Sequence, residues 1–255
     1  MQLFDTHCHV QFADYALNQQ EVIAAAAAGG VPYLLCVGCT LSDSELAVEF
    51  AGRHNNIWAS IGLHPHEGVE YVRDFSALDR FRNLATKPKV VAIGETGLDY
   101  YYNHSSPADQ KKLLTFQLDM AQEFKLPLIF HVRDAFDDFF KIFDSYPGLQ
   151  GVVHSFTATQ KELDQILQRG LYVGLNGIMT FTKNERQLEA ARAVPVSRLL
   201  LETDAPFLTP IPYRGKINQP VYMVETLKFL ANLRGEDEAF LAEQTTKNAQ
   251  NLFKV

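Results

Sequence analysis

Eight short apolar runs, each followed by a segment of helical period, predict an α/β chain of the (β/α)8 or TIM-barrel class. Two further observations narrow the choice. The length of 255 residues matches eight strand-helix units, the size at which barrels form one domain. Run after run also closes on a residue able to bind a metal or move a proton, as happens where parallel strands share one mouth at their C-terminal ends. A doubly wound open sheet has the same local alternation and stays open as the other architecture.

The first run, residues 3–9, ends in His7-Cys8-His9. Successive side chains of a strand alternate faces, so His7 and His9 project together and Cys8 projects away. Ala24 to Ala28 is a good helix former. The second run, 33–39, contains Cys36-Val37-Gly38-Cys39, which has the spacing of a redox or zinc half-motif. Positions three apart on a strand face opposite sides, so two packed thiols are expected there. Ser42-Asp43-Ser44-Glu45 has the pattern of a capping box opening the next helix, with Leu46 and Phe50 on one face.

The third and fourth runs cover 57–63 and 90–95, and the fifth covers 127–132. Leu113, Phe116, Met120 and Phe124 fall on one helical stripe, and Phe136, Phe139, Phe140 and Phe143 on another. The last three runs cover 151–155, 171–176 and 198–203; Leu163, Ile166 and Leu167 mark a helix between them, with Gly170 as its stop. Val, Ile and Leu dominate the runs, as parallel strands buried on both faces require. No linker, repeat or charged tail breaks the pattern, so a single domain over residues 1–255 is expected.

Composition excludes some roles. With 30 acidic against 23 basic residues the net charge is −7, which leaves no broad basic surface for holding duplex nucleic acid. An anionic substrate remains open if a bound metal supplies local positive charge. Three cysteines do not suggest a disulfide framework, and no apolar stretch is long enough to cross a bilayer. A soluble, cytoplasmic protein is expected.

Taken in order, the strand ends carry His7 and His9, Cys39, His64, Glu95, His131, His154, Asn176 and Asp204. Singly, each has an ordinary explanation: a hydrogen-bonded core histidine, or an aspartate capping the next helix. Jointly they point to a metal site. Imidazole with carboxylate suits Zn, Mn or Co without excluding Mg. One ion needs three or four protein ligands, whereas His7, His9, Glu95, His131, His154 and Asp204 offer six. Two divalent ions sharing Glu95 as a bridge are therefore expected, a pairing that acidifies water and favours hydrolysis over redox chemistry.

The segments Asp5-Thr6-His7-Cys8-His9, Gly62-Leu63-His64-Pro65, Gly94-Glu95-Thr96-Gly97-Leu98-Asp99, His131-Val132-Arg133-Asp134-Ala135, His154-Ser155-Phe156 and Glu202-Thr203-Asp204-Ala205-Pro206 resemble the motifs of TatD-type deoxyribonucleases in the amidohydrolase superfamily. The resemblance runs in order from Phe4 to Phe253. It implies a metal-dependent TIM barrel that cleaves DNA phosphodiester bonds, usually as an exonuclease, with a metal-bound hydroxide. It also implies that His7, His9, Glu95 and Asp204 hold one ion, and that Glu95, His131 and His154 hold the other. Asp204 would orient or deprotonate the attacking water, and His64 would meet the scissile phosphate or leaving oxygen. Related barrel amidases bridge their ions with a carbamylated lysine, and Glu95 at that place leans towards phosphoesters.

On the substrate side, Arg214 in the segment Pro212 to Asn218, and Arg133, are each able to fork onto a phosphate or to pair with a local carboxylate such as Asp134. Tyr101, within Tyr100-Tyr101-Tyr102, is placed to stack on a terminal base or simply to pack its loop. DNA ends, single-stranded, are the expected partner, acted on by a monomer. Two rival functions stay open: hydrolysis of an ester or amide, such as deacylation of an aminoacyl-RNA, and a non-catalytic barrel that keeps its metals for stability.

Overall fold

The structure is a computed structural model that describes residues 2–102 and 104–255, with Phe75 by its backbone alone. Its strands are β1 Phe4–Cys8, β2 Tyr33–Val37, β3 Ile57–Ile61, β4 Val90–Asp99, β5 Leu128–Arg133, β6 Gly151–Val153, β7 Tyr172–Leu175 and β8 Leu199–Leu201. Between and after them lie helices α1 Gln19–Ala28, α2 Leu41–Gly52, α3 Gly68–Tyr71, α4 Phe75–Leu84, α5 Pro107–Phe124, α6 Phe136–Phe143, α7 Gln160–Gln168, α8 Glu185–Ala193, α9 Met223–Arg234 and α10 Glu238–Phe253. Strand order follows chain order from β1 to β8. A doubly wound sheet would reverse its order part way, so the sequential order decides for the (β/α)8 class. The chain divides into two compact units, Met1–Cys36 with His154–Val255, and Val37–Val153.

In the first unit β1 pairs in parallel with β2, with Cys8 opposite Cys36, and β7 pairs in parallel with β8. The segment leaving β8 runs beside the end of β1: Asp204 N donates to His7 O (2.8 Å), and His9 N to Ala205 O (2.7 Å). Beneath that junction Thr203 N donates to Asp5 Oδ1 (2.9 Å) and Thr203 Oγ1 to Asp5 Oδ2 (2.5 Å). Desolvation of Asp5 raises its carboxyl to about 7, against these hydrogen bonds. Leu199, Leu200 and Leu201 are buried, as are Leu241 and Leu252 of α10. Asn248 on the same helix donates to the carbonyls of Val196 (2.7 Å) and Leu199 (2.9 Å), fixing where β8 begins.

In the second unit β3, β4, β5 and β6 pair in turn, all parallel. The phenylalanines expected on α6 pack as predicted: Phe139 and Phe143 meet Phe130 of β5 at centroid distances of 4.9 and 5.6 Å. The stripe on α5 differs. Phe116 and Phe124 are half-buried, while Gln110 and Gln117 join Leu113, Leu114, Leu118 and Met120 inside. Each glutamine pairs with one strand-end residue as a neighbouring strand would. Gln117 accepts from Leu63 N (2.8 Å) and donates to Leu63 O (2.9 Å), and Gln110 does the same for Asp99 (2.8 Å each). Unpaired, each of those buried backbone groups would cost ~1–3 kcal/mol.

Two further expectations change. The helix α2 is capped by Thr40, whose hydroxyl accepts from Asp43 N (3.0 Å), and not by Ser42. Ser44 is buried instead, its Oγ bonded to both Gly62 N (3.1 Å) and Gly62 O (3.2 Å), so it serves the end of β3. The reciprocal capping box lies on α7, between Thr159 and Glu162. Cys36 is buried as expected, but Cys39 lies beyond β2 and donates its thiol to Glu95 Oε2 (3.6 Å), so it is not a packed strand thiol.

Candidate metal centre

In the first unit three donor atoms converge. His7 Nε2 and His9 Nε2 are 3.2 Å apart, and Asp204 Oδ1 lies 3.5 Å from the first and 3.3 Å from the second. Ligands about 2.1 Å from a tetrahedral ion lie roughly 3.4 Å from one another. The triangle therefore has the edge lengths of a coordination sphere. Alternation continued one residue past β1 puts the two side chains on one face with their ring planes 79° apart, and the left-handed backbone of Asp204 (φ 59°) turns its carboxylate back towards them. Burial would raise the Asp204 carboxyl, but the hydrogen bond from His9 and the charges of His7, His154 and His9 hold it below its ordinary value.

His154, the residue after β6, stacks on His7 at 3.9 Å between centroids. Its Nδ1 lies 3.3 Å from Glu202 Oε1. Glu202 is 1% exposed, and the same oxygen accepts from Ser155 N (2.6 Å) and Asn176 Nδ2 (3.4 Å). Gly174 on β7 makes room for it, since a Cβ there would stand 2.3 Å from Glu202 Oε2. Glu202 thus stands within ion-pair distance of the His154 ring.

In the second unit the carboxylates are hubs. Glu95 Oε1 lies 2.9 Å from His131 Nδ1 and 3.5 Å from His64 Nε2. Asp99 Oδ2 holds His131 Nε2 and His66 Nε2, each at 3.0 Å, while Asp99 Oδ1 accepts from Tyr101 N (2.9 Å) and Tyr102 N (3.0 Å). With Nε2 of His131 held by Asp99, Nδ1 is the nitrogen turned to Glu95. Only glycine fits at Gly97 between the two carboxylates. Its φ is 150°, and a Cβ would stand 1.8 Å from the His131 carbonyl oxygen.

Burial would raise Asp99, but His131, the Tyr102 N–H and His66 outweigh it and keep the carboxyl well below its usual range. Desolvation lowers His64 to about 4, despite Glu95. His64 is thus neutral at neutral pH. Its Nδ1 accepts from His66 N (3.3 Å), which turns Nε2 towards Glu95.

Both clusters fit divalent cations by donor type. Groups of three whose ligand atoms all lie within 4.8 Å of one another include His7, His154 and Glu202 in the first unit, and His64, Glu95 and His131 in the second. The sequence-predicted residues His7, His9, His154 and Asp204 are thereby gathered in one unit, and His64, Glu95 and His131 in the other. Arg133, last in β5, lies over the rings of Tyr101 (4.1 Å) and Tyr102 (4.7 Å). Arg214 lies over Phe181 (3.9 Å) and donates to Thr209 O (2.8 Å). Aromatic rings, not the local carboxylate, are their neighbours.

Sequence reasoning left out Glu202, Asp99 and His66. The first two carried a readable signal: Asp99 shares a strand face with Glu95 and Gly97 by two-residue alternation, and Glu202 stands two residues before Asp204. His66 had none, since Pro65-His66-Glu67 forms a short 3-10 turn outside any strand.

Comparisons with known proteins bear on the family and the fold. A family model described as TatD related DNase matches residues 4–254. The 3′-5′ ssDNA/RNA exonuclease TatD of Cronobacter sakazakii is 38% identical over 260 residues, covering 98% of this chain and 97% of the relative. The uncharacterized metal-dependent hydrolase YcfH of Escherichia coli K12 is 36% identical over 260 residues, covering 100% and 97%. Among solved structures, the TatD homolog YJJV of Escherichia coli K12 superposes with a TM-score of 0.89 at 27% identity, covering 99% of this chain and 98% of that one. A TatD family hydrolase of Entamoeba histolytica has the same fold, with a TM-score of 0.90 at 23% identity over 99% and 98% of the two chains. With a family match over nearly its whole length and relatives above one-third identity, the chain belongs to the TatD-related DNase family.

Proposed function

We propose that this protein is a divalent-metal-dependent phosphodiesterase that removes nucleotides from the ends of single-stranded DNA or RNA. The observation that carries the reading is the triangle of His7 Nε2, His9 Nε2 and Asp204 Oδ1, whose edges of 3.2 to 3.5 Å match those of a coordination sphere. The ligand assignment follows the family resemblance: His7, His9, Glu95 and Asp204 for one ion, and Glu95, His131 and His154 for a second. When bound, two such ions acidify water and neutralise the oxygens of a phosphodiester. Zn, Mn, Co and Mg all suit this donor set.

The side chains supply the rest. Asp204 Oδ1 faces the histidines, which leaves its second oxygen to take a proton from the attacking water. Glu202 and Asp99 orient His154 and His131 from behind. Neutral His64 offers the nitrogen that meets the scissile phosphate or the leaving oxygen. Arg133 and Arg214 are placed to hold flanking phosphates, and Tyr101, 59% exposed, to stack on a base. A net charge of −7 suits this mode of recognition, since binding a strand end neutralises only a few phosphates.

The protein acts as one domain and as a monomer, in the cytoplasm. Three free cysteines accord with a reducing compartment, and no described helix is long and apolar enough to cross a membrane. The test is release of mononucleotides from single-stranded DNA and RNA, run beside deacylation of an aminoacyl-RNA with the same metal-loaded protein. Nucleotide release without deacylation is expected. Deacylation alone would replace the phosphodiesterase reading with the ester one.

A further inference from the structure

In the first unit the segment after β8 leaves Phe207 53% exposed, three residues beyond Asp204. A single exposed phenylalanine on a surface needs no explanation, but this one stands against the first cluster. Its ring centroid lies 6.2 Å from that of His9, with 62° between the planes. Phe12 stacks on His9 at 4.5 Å and 21°, so the space between those two rings is filled. Phe207 instead meets the imidazole edge-on and turns much of its own surface to solvent. The arginine of the same loop, Arg214, lies over Phe181 and not over Phe207.

The ring is held where it stands. Phe207 N donates to Asp204 O (2.8 Å), which hinges the ring on the candidate ligand itself. Buried Asn218 closes the loop from behind: its Nδ2 donates to Thr203 O (2.9 Å) and Phe207 O (2.5 Å), and its N donates to Pro206 O (3.0 Å). Leu208 then takes a left-handed backbone (φ 55°), uncommon for a bulky side chain. Its carbonyl runs so close to Gly177 that a Cβ there would stand 2.2 Å away. Ile211 N donates to Thr180 Oγ1 (2.9 Å) on the same turn. A loop tied at so many points fixes the spacing between the Phe207 ring and the Asp204 carboxylate.

That spacing suits a nucleotide. A strand whose phosphate reaches an ion on His7, His9 and Asp204 brings the adjoining base within reach of Phe207. A phenyl ring has no hydrogen-bonding group, so it meets a base by its face, whatever the sequence, and an unstacked base offers that face. A ring already fixed loses little freedom when the base arrives.

We propose that Phe207 is a specificity-determining residue whose exposed face stacks on an unpaired base beside the phosphate cleaved at the first cluster, in DNA and RNA alike. The proposal rests on the phosphodiesterase reading and adds to it a base contact in the first unit.

The test joins equilibrium binding to metal affinity and needs no turnover. A single-stranded oligonucleotide with phosphorothioate linkages, which slow cleavage, is titrated with Mn²⁺-loaded wild type, Phe207→Ala, Phe207→Leu and Phe207→Trp. Phe207→Ala should bind roughly 5- to 150-fold more weakly than wild type, the range expected for one lost base stack. Phe207→Leu, which keeps apolar bulk without a ring face, should fall with it, and Phe207→Trp should keep wild-type affinity. Mn²⁺ titration should give one metal affinity for all four. Removing either the terminal or the penultimate base should weaken wild type by the same factor and add nothing in Phe207→Ala. Wild-type affinity in Phe207→Ala or Phe207→Leu, losses that add, or a loss that follows weaker Mn²⁺ binding would overturn the subsite. Self-association of wild type that Phe207→Ala abolishes, with strand affinity unchanged, would assign the ring to a second copy of the chain instead. The expected binding without nucleotide release from ordinary DNA or RNA would sink the phosphodiesterase reading alone. Release without Phe207 dependence would sink the subsite alone, and no binding by wild type would overturn both.

Discussion

The two units carry clusters of the same make-up and different logic. In the first, His7, His9 and His154 gather around Asp204 and Glu202, with the histidine side chains at most 4% exposed and two imidazole nitrogens face to face. In the second, His64, His66 and His131 are 13 to 25% exposed, and Glu95 or Asp99 stands beside each. Each of these histidines has a carboxylate within 3.5 Å, so the clusters differ in burial and in the close approach of the His7 and His9 nitrogens, which the second cluster lacks among its described contacts. In the proposed reading the first cluster holds an ion. In the proposed reading the second divides its residues between an ion, the neutral His64 and the substrate-facing Tyr101.

The largest effect should fall on the first cluster. Asp204→Asn keeps the shape of the side chain but removes the negative ligand and the proton acceptor, so kcat for nucleotide release should drop by ~10³-fold or more, the equivalent of several kcal/mol of lost electrostatic stabilisation. Bound metal should fall with it, measured by elemental analysis of the dialysed protein. Near-normal turnover in that variant would break the contrast between the clusters.

The orienting carboxylates come next, and they sharpen the comparison because they differ in what else they hold. Glu202→Gln should weaken metal binding by roughly 10- to 100-fold and leave KM alone. Asp99→Asn should show a similar loss of metal affinity and in addition a raised KM, because Asp99 also anchors the backbone of Tyr101 and Tyr102. Metal titration followed by steady-state kinetics separates the two.

The clusters should also respond to pH with opposite sign in metal-stripped protein. Burial lowers His64 to about 4, so between pH 6.5 and 4 the unfolded chain binds more protons than the folded one. This contribution is fully present above pH 6.5 and is lost as pH falls to about 4, on the order of 3 kcal/mol. Asp5, under the first cluster, is raised to about 7, so its contribution is fully present below pH 3.8 and is lost as pH rises through 7. Urea unfolding across this range should show His64→Gln flattening the acid-side loss and Asp5→Asn flattening the opposite trend. Identical profiles for wild type and either variant would contradict the assigned burial effects.

The smallest effect belongs to the open side of the second unit. Arg133→Ala should raise KM about 3- to 10-fold with kcat little changed, the signature of a contact made equally in ground and transition states.

Most of the first cluster was legible in the sequence because strand alternation decides it. His7 lies on β1 and His9 one residue past its end, and Asp204 follows β8 in the segment that runs beside the end of β1. The supporting residues were harder to read. Gln110 and Gln117 occupy positions where helical period predicts only apolar packing, and their role becomes clear once Asp99 and Leu63 are known to need partners. Ser42 resembled a helix cap and Ser44 a bystander, yet hydroxyl side chains suit both helix starts and buried backbone ends, and Thr40 takes the first role and Ser44 the second. Cys39 was assigned to a strand face by its spacing from Cys36, but β2 ends at Val37 and the thiol turns to Glu95 instead.

The central claim, that these clusters hydrolyse nucleic-acid ends through bound divalent metal, is tested most directly by following 5′- and 3′-labelled single-stranded DNA. Metal-stripped protein would be re-supplied with Mg²⁺, Mn²⁺ or Zn²⁺, beside Asp204→Asn. Shortening that requires a metal and is lost in the variant is the predicted result. Intact strands with every metal, from protein that binds the metal, would contradict it.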